Sequence, residues 1–189
     1  MAGPVTIALV AFSREVLSKI YNREILPGLD DSKKVSSHRR EFLATEIRKW
    51  AQSFSVVHVS SRFIDCHNIN EAIFYGILKA LKLLRCKNPF LILDGNYNWK
   101  NSQQPKPYPE SVSIPKADST IASVQAASIL AKVSRDRLMN AFSRKYPLYR
   151  FERHKGYGTS FHLEAIKKYG ILPIHRKTFL RNLEGVRIQ

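Results

Sequence analysis

The sequence has only two cysteines, Cys66 and Cys86, and they form no CxxC pair. So low a thiol count argues against a zinc site or a disulfide framework and for a reduced, cytoplasmic setting. No apolar run approaches the ~20 residues that a membrane-spanning helix needs. The opening stretch Met1–Phe12 is apolar, yet it lacks a basic n-region and a small-residue cleavage site. It reads as a strand and not as a signal peptide. There is no internal repeat, linker or low-complexity tail, so the 189 residues are expected to form one αβ domain, with a buried core. Acidic residues are scarce as well: 15 Asp and Glu stand against 31 Lys and Arg, a net charge of +16. Such an excess points to a polyanionic partner, usually nucleic acid, although a merely soluble basic protein has the same balance.

Hydrophobic spacing supplies the elements. Val5–Phe12 reads as a strand and Leu26–Val35 as a loop broken at Pro27-Gly28. A helix is expected from Ser36 or Ser37, with Phe42, Leu43, Ile47 and Trp50 on its apolar face. Ser55–Val59 is a short β-branched strand. A second helix, capped by Asn68 or a neighbour, buries Ile69, Ile73, Ile77, Leu81 and Leu84. Phe90–Leu93 is a buried strand ending in Asp94-Gly95-Asn96. A loop over Asn98–Pro109, a strand over Ser111–Ile114 and a long helix over Thr120–Lys145 follow. The Gly-rich loop His154–Thr159 precedes a last helix over Ser160–Tyr169, stopped by Gly170 and Pro173.

Two acids and one loop carry chemistry. Asp94 ends a buried strand, the place where sites gather in open α/β sheets, though an Asp-Gly turn explains it equally well. Asp118 precedes the long helix, where Asp118-Ser119-Thr120 is also an ordinary cap cluster. Together they offer carboxylate oxygens to a hard divalent cation. A two-ion site for phosphodiester cleavage needs about three or four carboxylates, more than these two. In His154-Lys155-Gly156-Tyr157-Gly158-Thr159, Lys155 offers a point charge for phosphate. Tyr157 offers a stacking face and a hydroxyl for a ribose 2′-OH. A plain surface loop is the alternative.

Five ordered segments then resemble bacterial ribonuclease HII, at that family's spacing and over nearly the whole chain. They are Leu29–Lys34, Ile92–Asn96, the helix Asp118–Asp136, His154–Thr159 and Ile174–Phe179. The resemblance implies a ribonuclease H-like mixed sheet flanked by helices, with a C-terminal helical segment. It implies Mg²⁺- or Mn²⁺-dependent hydrolysis of the RNA in RNA–DNA hybrids. It also implies cutting 5′ of ribonucleotides embedded in DNA, leaving 3′-hydroxyl and 5′-phosphate ends. Asp94 and Asp118 match metal-site carboxylates, and Tyr157 matches the residue beside the ribose. Lys33, Lys34, Ser128, Lys132 and Arg176 lie in matching motifs, with phosphate-binding or structural roles. Asp136 is either a further site acid or one half of a helix-surface ion pair. A monomer with no membrane attachment is expected.

The family pattern departs at the start. Members carry an apolar strand with Asp-Glu-x-Gly-Arg-Gly shortly before a segment like Ala2-Gly3-Pro4-Val5, and here Met1 stands there instead. The resemblance puts that strand at the centre of the sheet, between the strands matching Val5–Phe12 and Phe90–Leu93. The chain as written is therefore expected to be truncated, impaired in catalysis and poorly folded. Holding hybrids without cutting them is the alternative function.

The charge makes one prediction independent of fold. Affinity for duplex nucleic acid should fall with salt, each neutralised phosphate contributing about −0.9 to the slope of log K against log salt. A slope near zero in a salt titration would remove nucleic acid as the partner.

Overall fold

A computed structural model describes residues 1–106 and 108–181. Pro107, inside the loop expected over Asn98–Pro109, and residues 182–189 lie outside the described residues. Strand β1 (Val5–Ala11) pairs antiparallel with β2 (Ser53–Val59), in register from Val5 opposite Val59 to Ala11 opposite Ser53. Side chains alternate along a strand, and this pair uses both faces. Ile7, Leu9, Val57 and Val59 meet Ile64, Ala72 and Ala80 of helix α3 (Ser61–Leu83). Ala8 and Val10 lie against the cluster formed by α2 (Ser37–Trp50) and α4 (Ala122–Lys145).

Helix α2 begins where expected, with Ser36 Oγ accepting from the Arg39 amide. Its buried face is Leu43, Ala44 and Ile47, which meet Ala126, Ile129, Leu130 and Val133 of α4. Phe42 and Trp50 are exposed, contrary to expectation. Adjacent helical residues point ~100° apart, so Phe42 cannot share a face with Leu43. Helix α3 starts at Ser61, earlier than expected, and is capped by Ser60. Asn68 stands inside it at φ 68° and breaks it. The Asn68 side chain accepts from the Asn70 and Glu71 amides at 2.9 and 3.1 Å, so it caps the second segment after all. Helix α1 (Arg14–Tyr21) was not expected; none of its residues is fully buried, although Ile20 rests against the core cluster of α2 and α4.

Strand β3 (Leu91–Asp94) pairs in parallel with β4 (Ser111–Ile114). Leu91 and Leu93 pack on Phe74, Ile77 and Trp99. The C-terminal part holds a short α5 (Phe151–His154) and α6 (Ser160–Tyr169). Thr159 caps α6, and Gly170, at φ 85°, ends it as expected. Their core joins Ala2, Met139, Tyr149, Phe151, Ile166 and Leu180. No described helix is long and apolar enough to cross a membrane.

Among the described residues β1 and β3 belong to different two-stranded sheets. They line the two sides of a cleft of about 660 Å³, whose other lining includes Ile77 of α3 and Val124, Ala127 and Ala131 of α4. The cleft falls where the resemblance puts a further strand.

The observed face of α2 is testable. Ile47→Ala should destabilise the fold by about 2–5 kcal/mol, as deletion of a fully buried side chain does. Phe42→Ala, on the exposed face, should cost under about 0.5 kcal/mol. Chemical denaturation midpoints measure both, and equal losses would contradict this packing.

Candidate active site

Asp94 ends β3 with its side chain exposed. The chain then turns at Gly95, whose φ of 112° suits glycine. Burial and then the Asp94 charge push the Tyr97 phenol above its ordinary pKa. Asp118 lies in a single 3-10 turn, Ala117–Ser119, against which β3 packs. Its carboxylate is buried and meets Lys33 Nζ at 3.5 Å. It does not cap α4: the cap position is Ile121, with no side-chain cap bond. The capping alternative for Asp118 is thereby removed.

Lys33 reaches Asp118 because its loop is pinned. Asp31 Oδ1 accepts from the Lys33 amide at 2.9 Å, and Ser32 Oγ meets Ser128 Oγ at 2.8 Å. Arg40 donates to the Ser32 carbonyl at 2.9 Å and to that of Val35. Asp136 faces Arg40 at 3.8 Å and accepts from Lys132 at 2.8 Å, so it is the member of an ion-pair network. Lys34 lies 3.7 Å from Asp30.

Ser128, Lys132, Asp136 and Asn140 recur every fourth residue, one face of α4 covering ~18 Å. This face leads from the Asp118 turn to the Gly-rich loop. There the Tyr157 ring is exposed, with Lys132 Nζ 5.7 Å and the Arg135 guanidinium 5.3 Å from its centre. Both are within cation–π range. Lys155 donates to Asn140 and to the Glu152 carbonyl, and burial lowers its pKa. Arg176 donates to the Gly3 and Pro4 carbonyls at 3.0 and 3.1 Å. Burial first, then Arg135, push its pKa down to about 10, which leaves it charged at neutral pH. Sequence reasoning gave Arg135 no role, yet it binds the Ala2 and Pro4 carbonyls and carries a buried Nη1 without a partner.

The loop itself is tightly set. Lys155 and Gly156 both have positive φ, and a Cβ on Gly156 would stand 2.5 Å from the Ala2 carbonyl oxygen. The Tyr157 amide donates to the His154 carbonyl at 2.8 Å. The Tyr157 carbonyl lies 2.8 Å from His162 Nδ1. His162 Nε2 meets His175 Nε2 at 3.0 Å, and the Leu172 amide donates to His175 Nδ1 at 2.8 Å. These three buried histidines had no expected role. Their ring nitrogens are taken by the loop and by each other, and among the described residues no group of three or more His, Cys, Asp or Glu is placed to hold a metal ion. Asp94 and Asp118 are left as hard oxygen donors, a set that suits a divalent cation keeping several waters.

The ribonuclease HII family model matches residues 1–182. The chain belongs to the ribonuclease HII family. It is 41% identical over 186 residues to Ribonuclease HII of Caldicellulosiruptor bescii, covering 97% of this chain and 82% of that protein. Among solved structures it resembles ribonuclease H2 from Pyrococcus horikoshii OT3, with TM-score 0.69 and 27% identity over 93% of this chain and 88% of that one. It also resembles the RNase HII solved in complex with PCNA from Archaeoglobus fulgidus, with TM-score 0.65 and 25% identity over 97% and 90%. The ribonuclease H-like fold class is therefore as expected.

The loop of this ribonuclease HII family member makes the fold acid-sensitive. Burial, before any other cause, pushes His162 from its ordinary 6.5 down to about 3 and His175 from 6.5 down to about 4. His154 and the Met1 ammonium face them and add to the depression. The folded state thus excludes protons that the unfolded chain takes up. Stability should be whole above pH 6.5, fall as pH drops below it, and be lost progressively toward pH 4. Denaturation midpoints between pH 7.5 and 5 read this, above the range where carboxylates titrate. A flat profile there would contradict neutral buried rings.

Proposed function

We propose that this protein is an endoribonuclease, acting as a monomer in the cytoplasm. It hydrolyses the RNA of RNA–DNA hybrids and cuts on the 5′ side of ribonucleotides embedded in DNA. The observation that carries this reading is the arrangement along α4. Asp118, next to β3 and Asp94, precedes its N-terminal end, and the exposed Tyr157 lies over its middle, at Lys132 and Arg135. Family membership and the free thiols of Cys66 and Cys86 also support it.

In this reading Asp94 and Asp118 hold Mg²⁺ or Mn²⁺. A bound divalent ion supplies positive charge at the phosphoryl oxygens and a water of lowered pKa. Lys33, four-fifths exposed at its side chain, lies beside Asp118 and is placed to meet the backbone phosphate. Lys34 and Lys132 extend that contact. Ser128, Lys155 and Arg176 act behind them, holding the Ser32 loop, the Gly-rich loop and the Gly3–Pro4 backbone. Tyr157 presents its hydroxyl to the 2′-OH that separates RNA from DNA. Its ring lies within cation–π range of Lys132 and Arg135.

The test uses duplexes with one ribonucleotide, an RNA–DNA hybrid and all-DNA, with Mg²⁺ or Mn²⁺. Asp94→Asn should lower cleavage more than about tenfold, ~1.4 kcal/mol in the barrier, while hybrid binding persists through phosphate contacts. Tyr157→Phe should selectively slow cutting at the ribonucleotide. Hybrid bound by the unaltered chain but left intact with either ion would assign it to binding without cleavage. Unchanged rates in both variants would remove these residues from the site.

A further inference from the structure

The tyrosine loop rests on two buried histidines, His162 and His175. Both rings are wholly buried: His162 on α6 and His175 in the segment that pairs with Ala2. Their tautomers follow from their partners. His175 Nδ1 lies 2.8 Å from the Leu172 amide and 3.3 Å from the Leu172 carbonyl; the shorter contact, with the amide donating, leaves that nitrogen bare and the proton on Nε2. His175 Nε2–H then donates to His162 Nε2 at 3.0 Å, which must accept. His162 therefore carries its proton on Nδ1 and donates it to the Tyr157 carbonyl at 2.8 Å. A neutral ring has one donor and one acceptor, and both rings use each once. His154 completes the cradle: its Nδ1 accepts from the Gly156 amide at 3.2 Å, and its ring stacks on His162 with centroids 4.3 Å apart.

We infer that His162 and His175 are positioning residues for Tyr157: a directed chain of hydrogen bonds from Leu172 through both rings fixes the tyrosine's backbone and so the aim of its hydroxyl. The inference rests on the reading of Tyr157 as the ribose contact. It accounts for a feature that packing alone does not, namely two imidazoles placed nitrogen to nitrogen in an apolar core. An aliphatic pair would fill the volume without leaving polar atoms to satisfy, and unsatisfied buried polar groups are costly. In this arrangement every ring nitrogen has a partner, and the chain ends on one carbonyl.

Two amide substitutions separate donor geometry from bulk. In His162→Asn the side-chain NH₂ falls near the place of Nδ1 and can still donate to Tyr157. In His162→Gln it falls near Nε2, and the Tyr157 carbonyl loses its donor. Binding is read by fluorescence anisotropy, with Ca²⁺ replacing Mg²⁺, on a duplex with one ribonucleotide and on the same duplex in DNA. The unaltered chain should prefer the ribonucleotide duplex by more than about fivefold, and His162→Asn should keep that preference within about twofold. His162→Gln should bring it to the level of Tyr157→Phe, and the double variant should lose nothing further, because residues acting through one group are not additive.

If Tyr157→Phe leaves the preference intact, the ribose assignment fails, and the histidine chain is judged by its protons. Imidazole ¹⁵N spectra of the unaltered chain should show His162 protonated at Nδ1 and His175 at Nε2. That measurement also decides the matter if His162→Gln does not fold. A His162 proton on Nε2, an unchanged preference in His162→Gln, or losses that add to those of Tyr157→Phe would each overturn the inference.

Discussion

The half-buried carboxylate of Asp136 is the contact on which the site depends. Its oxygens face Arg40 and Lys132, and all three side chains are largely shielded from water. Arg40 carries the effect outward to the Ser32 and Val35 carbonyls, and so to the loop that places Lys33 beside Asp118. Lys132 carries it the other way, to the face of Tyr157. Removing one member of such a partly shielded network leaves another charge without its partner. Such a charge is more expensive to abandon than to keep, and this ties the phosphate-facing loop and the sugar-facing loop to one point on α4.

Much of this was legible in the sequence, and the reasons are local. The strands over Val5–Ala11 and Ser111–Ile114 follow from short β-rich runs, and α6 from Thr159 and Gly170 at its ends. The ordered motifs gave the fold class and the family. The apolar face of α2 was read too widely, because hydrophobicity alone does not say which of two adjacent residues faces the core. Helix α1 escaped because it is only two turns long and none of its residues is fully buried; it is held by the Ser13 cap, a Glu15–Lys19 pair and the contact of Ile20 with the core.

The candidate site was legible in part. Asp94, Asp118 and Tyr157 stand at chain positions where chemistry is expected, and the structure gives them neighbours. The roles of Asp136, Arg135 and the histidines were not legible. Each depends on partners distant in sequence: Arg40 with Asp136, Ala2 and Pro4 with Arg135, and His162 with His175. A single chain of letters carries no sign of which buried imidazole nitrogen will meet which carbonyl. Asp118 shows the opposite case, in which a local pattern pointed to a helix cap that the backbone does not use.

The cleft between β1 and β3 has a colloidal consequence. Each strand turns one flank of peptide groups toward it, and unpaired strand edges are templates on which other chains zip. A net charge of +16 opposes such pairing in dilute buffer, since like charges repel. That repulsion is also what a polyanion or concentrated salt cancels.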